Sequence, residues 1–76
     1  MDLIKESFME VADDVIKQQK IKLLKEAERF IPNITEEDLL QPNDYPELEY
    51  NPQFRHEEGI LEGMLTLRMA LIAYTE

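Results

Sequence analysis

The stretch "RHEEGILEG", residues 55–63, gathers the residue types best suited to chemistry. Glu58 and Glu62 stand one helical turn apart, with His56 and Glu57 beside them. Carboxylates at that spacing on a bundle helix can hold magnesium or manganese, and a metal so held would serve phosphate chemistry. The di-iron version of such a site uses Glu-x-x-His at i, i+3, with further carboxylates on other helices. Three residues before His56 stands Gln53, so that pattern is absent. The i, i+4 spacing of acids recurs at Glu6 and Glu10 and at Glu10 and Asp14. In a chain with 17 acidic residues such pairs arise readily by chance. Glu57, Glu58 and Glu62 are thus the metal candidates of a competing enzymatic reading, behind the plainer one of a solvated or salt-bridged surface.

Nucleophilic chemistry finds even less support. Ser7 is the only serine, cysteine is absent, and two glycines make no phosphate-cradling loop. His56, near a helix start and among acids, reads as an exposed polar residue. The sequence therefore predicts neither catalytic residues nor a cofactor.

The formal charge of −9 is unevenly spread. Residues 1–31 carry six cations and seven anions, whereas residues 32–62 carry nine anions against Arg55 alone. Residues 63–76 cancel, Arg68 against Glu76. Nucleic-acid affinity is dominated by phosphate neutralisation, which argues against such a partner here. The N-terminus lacks the cationic start and apolar core of a signal peptide. The longest apolar run, Met69 to Tyr74, is far shorter than the roughly 20 residues of a membrane span. These features predict a soluble, cytoplasmic protein without a membrane partner.

Two long helices must position these residues. In residues 2–30, Ile4, Phe8, Val11, Val15, Leu23, Ala27 and Phe30 follow steps of three and four, the signature of one amphipathic face. Gln19 is the polar member of that series. Acids crowd its first half and Lys17, Lys20, Lys22, Lys25 and Arg29 its second, as the helix dipole favours. Pro32 disfavours helical geometry at Ile31, so this first helix should span about 2–30. Residues 31–51 form a proline-rich connector. Within it, Thr35 as N-cap and Asp38 at N3 make a variant capping box, with Ile34 stapled to Leu39, which predicts a short helix over 36–40. Tyr45, Leu48 and Tyr50 should cover the open end of the core. Asn51-Pro52 then caps a second helix over about 52–74.

That second helix holds Gly59 and Gly63, each costing a helix interior about 1 kcal/mol relative to alanine. Continued at helical steps they give Gly59, Gly63, Thr66, Ala70 and Ala73, a lane of small side chains between bulky rows. Small residues let helix backbones approach closely, so the lane is expected to receive another helix, of the same chain or of a second copy. Arg68 lies in the row of Leu61, Leu65 and Ile72 with no carboxylate three or four residues away. It is expected to form a buried ion pair with Glu6, Glu10 or Asp13, of the same chain or of a second copy. Met9, Met64 and Met69 read as packing, and Gln19 should find its partner near Gly63 and Thr66.

Seventy-six residues make at most one domain, and small folds without disulfides or zinc are commonly stabilised by oligomerisation. The expected fold is all-α: a long antiparallel helical hairpin with a short helix in its connector, dimerising into a four-helix bundle. The expected function is a small non-catalytic interaction or regulatory protein. Its acidic band over residues 36–62 would meet a basic partner protein.

Overall fold

The computed structural model describes residues 2–40 and 45–75. The expected turn-rich segment after the capping box falls partly on residues 41–44, outside the described residues. Helix α1 spans Asp2–Glu28, its basic Lys25 in the last turn. The helical ladder tightens past Glu28, where the amides of Phe30 and Ile31 both reach the Ala27 carbonyl at 3.0 Å. Asn33 then takes a φ of 67°, the left-handed region that its short amide tolerates, and the chain reverses.

The capping box forms. The Thr35 amide donates to Asp38 Oδ2 at 3.0 Å, and the Asp38 amide donates to Thr35 Oγ1 at 3.3 Å. It opens a single 3-10 turn, Asp38–Leu40, rather than a helix over 36–40. A second short element, α2 at Pro46–Glu49, starts on a proline in the first helical turn. Helix α3 spans Pro52–Thr75, and Asn51 Oδ1 caps it by accepting from the Phe54 amide at 2.9 Å.

Helices α1 and α3 pack antiparallel: Asp13 meets Arg68 and Gln19 meets Glu57, so later positions on one face earlier positions on the other. The fold is the expected all-α hairpin. Its core, however, sits at one end. Leu23 and Ala27 of α1, Ile34 of the turn, Leu48 of α2 and Phe54 of α3 form a buried cluster, with Leu39, Tyr45 and Leu61 packed against it. Tyr45 and Leu48 close the core as expected, whereas Tyr50 is 78 % exposed. Toward the open end Ile4, Phe8, Val11 and Val15 are exposed, as are Leu67 and Met69. The predicted apolar stripe of α1 is real, but of the series only Leu23 and Ala27 are buried, together with Ile16, which widens the stripe. The resulting molecule measures 45 × 18 × 17 Å with a radius of gyration of 14.6 Å. A compact chain of this length would have about 11.4 Å.

Candidate functional site

Two residues fix how the helices slide against each other. Gln19 is buried on α1, and its side-chain amide donates both to the Glu57 carbonyl and to Glu57 Oε1, each at 2.9 Å. Glu57 is buried too, and its carboxylate also accepts from Gln53 Nε2 at 3.1 Å and pairs with Lys22 Nζ at 3.4 Å. The Gln19 hydrogen bond is the main reason its carboxyl is held below the usual carboxylate range. Burial opposes that shift, and Lys22 reinforces it. Gln19 therefore meets Glu57 rather than Gly63 or Thr66, more than a turn from the expected register. A signal for this was present: Glu57 shares the row Phe54, Glu57, Leu61, Met64, Arg68, which faces α1.

The metal candidates do not converge. Glu57 turns inward, and Glu58 pairs with Arg55 at 2.9 Å. Glu62 stays exposed. Among the described residues no three His, Cys, Asp or Glu side chains are placed to hold a metal ion. Successive residues diverge by about 100° around a helix, which separates Glu57 from Glu58.

Arg68 finds one of its expected partners. Its Nε donates to Asp13 Oδ1 at 2.6 Å, but with side chains 36 % and 56 % exposed the pair lies at the surface and is not buried. Of the two occupants expected for the lane of small residues, α1 is not the one. Gly59, Gly63, Thr66, Ala70 and Ala73 are all exposed. They lie about 160–240° around α3 from Glu57, on the side turned away from α1. A methyl group built on either glycine would meet nothing within 4 Å, and Thr66 Oγ1 satisfies itself on the Glu62 carbonyl at 2.9 Å. Helix α1 does not enter the lane. Met69, expected in the core, is exposed as well, while Met9 and Met64 are half-buried.

Among the described residues, two grooves stand out instead. One, of about 530 Å³, lies where α1, the connector and α3 meet; Leu23, Leu39, Leu61 and Leu65 line it. Glu36, Glu37, Glu58 and Glu62 stand around it, with Lys20 and Arg55 the cations among them. Burial there pushes the Glu58 carboxyl up, against the pull of Arg55 and with some help from Glu62. The acidic band was legible from charge, but its leucine floor was not, because it is assembled from three segments. The other groove, of about 380 Å³, lies between the open ends of α1 and α3.

No protein family, curated protein or solved structure matches this chain. Its function must therefore be read from these surfaces. Among the described residues no helix is long and apolar enough to cross a membrane.

Proposed function

We propose that this chain is a small non-catalytic interaction protein of the cytoplasm, working as a homodimer, whose acidic surface binds a basic partner protein. The observation that carries this reading is the leucine-floored groove with four glutamates around it. An apolar floor inside an anionic margin complements an amphipathic helix bearing lysines or arginines beside its apolar stripe. Complementary charge there would speed encounter and set orientation, while the leucines would hold the bound helix.

The test is a fluorescence-anisotropy titration with a labelled leucine–lysine peptide of helical periodicity. A scrambled peptide of identical composition is the control. Saturable one-to-one binding of the periodic peptide alone, lost on Leu61→Asp with the fold retained, supports the reading. Equal binding of both peptides reduces the surface to unspecific charge attraction and refutes it.

A further inference from the structure

The geometry points to a second copy of this chain seated on the open-end groove, hairpin face against hairpin face about a two-fold axis. This rests on the homodimer reading above and adds the surface that makes it. On α1, Ile4, Phe8, Val11 and Val15 recur at steps of four, three and four and remain outside the core, Phe8 60 % and Val11 62 % exposed. Across the groove stand Met64, Leu67 and Leu71 of α3. The one charged residue lining it is Arg68, which is already paired with Asp13.

The size of the uncovered surface argues for this occupant. The chain exposes 5816 Å², about 1,000 Å² more than the roughly 4,850 Å² of a compact folded protein of its mass. One partner in a standard stable interface buries about 800 Å². Self-association also answers the charge problem. Each copy carries −9, and the open-end groove is where two such chains can meet with almost no like charge between them. Its form is self-complementary too. Phe8 and Val11 line the groove yet are more than half exposed, so a two-fold rotation can set each copy's Phe8 and Val11 against the other's groove, as an isologous contact requires.

The glutamate-ringed groove is turned elsewhere. Lys20, which lines it, projects about 140° around α1 from Val15, which lines the open-end groove. Dimerisation through the latter leaves both acidic grooves free.

The experiment is sedimentation equilibrium on the full chain, with Phe8→Glu/Leu67→Glu and, as control, Leu65→Glu from the other groove. Wild type and Leu65→Glu are expected near twice 9.0 kDa, and the double variant at the monomer mass with its helical circular dichroism kept. The wild-type dimer should tighten as salt rises, because screening relieves repulsion between two acidic copies. A wild-type monomer at all concentrations overturns both this inference and the homodimer reading. A double variant that remains dimeric overturns this face alone and leaves the homodimer standing. Should the double variant lose its helical signal, Phe8→Ser is read in its place. A tenfold or greater weakening of its dimer supports the inference, and an unchanged dissociation constant overturns it.

Discussion

Replacing both Gly59 and Gly63 by alanine should make the protein markedly more stable. Neither glycine has a positive φ, so alanine fits the backbone at both positions. Nothing lies within 4 Å of either added methyl, so no neighbour has to move. What remains is propensity, with alanine favoured over glycine in a helix interior by about 1 kcal/mol per site, partly because the unfolded chain has less freedom to lose. Two sites give roughly 2 kcal/mol. For a domain of this size each kcal/mol moves the melting temperature by about 4–8 °C, so the double variant should melt roughly 8–16 °C above wild type. A thermal melt followed by far-UV circular dichroism reads this directly. A melting temperature that falls instead would mean that something fills the lane. The exposed assignment of Gly59 and Gly63 would then be wrong, and the close-packing groove expected from the sequence would be restored.

Two further expectations concern the register and the core. Glu57's carboxyl is held below its ordinary value of 4.5, so its contribution to stability is complete above that pH and is lost as pH falls through the lowered value. Gln19→Leu removes the main cause, so the stability gap between wild type and variant, measured by urea denaturation, should be widest at neutral pH and narrow in acid. Glu58 runs oppositely, its raised carboxyl giving stability that is lost as pH rises, but it is common to both proteins and cancels from the gap. Phe54→Ala, at a fully buried position, should cost about 3–5 kcal/mol. Arg68→Ala, breaking a solvent-screened pair, should cost under about 1 kcal/mol in the same assay. Comparable losses at the two positions would refute the division between core and surface.

Features encoded within a few residues were legible in the sequence. Asn51-Pro52 starts α3 because capping is local chemistry, and the reciprocal bonds of Thr35 and Asp38 follow from a spacing of three residues. Placing one helix against another was harder. The series from Ile4 to Phe30 reveals a stripe, but periodicity does not say what covers it, and a core confined to the connector end covers only part. The offset of Gln19 depends on how the connector folds through α2, and residues 46–49 carry no helical signal strong enough to set it from the sequence. The lane from Gly59 to Ala73 is not filled by α1, and spacing alone does not say so, for a steric reason. A row of small side chains suits a tight helix crossing and a bare outer surface equally well, and spacing does not distinguish them. Of the three glutamates, Glu58 and Glu62 take the salt-bridged and solvated places the sequence favours, and only the inward turn of Glu57 depends on direction around the helix rather than proximity along the chain.

The lopsided placement of the core makes this hairpin resemble a pair of tweezers. The hinge end is clamped by Leu48 and Phe54, and the last firm rivet before the tips is the buried Ile16, just past the Gln19 amide on Glu57. Beyond that rivet the prongs owe their spacing chiefly to side chains still open to water, so loosening begins at the tips and travels inward. Whatever the tips grip therefore sets how far apart they stand.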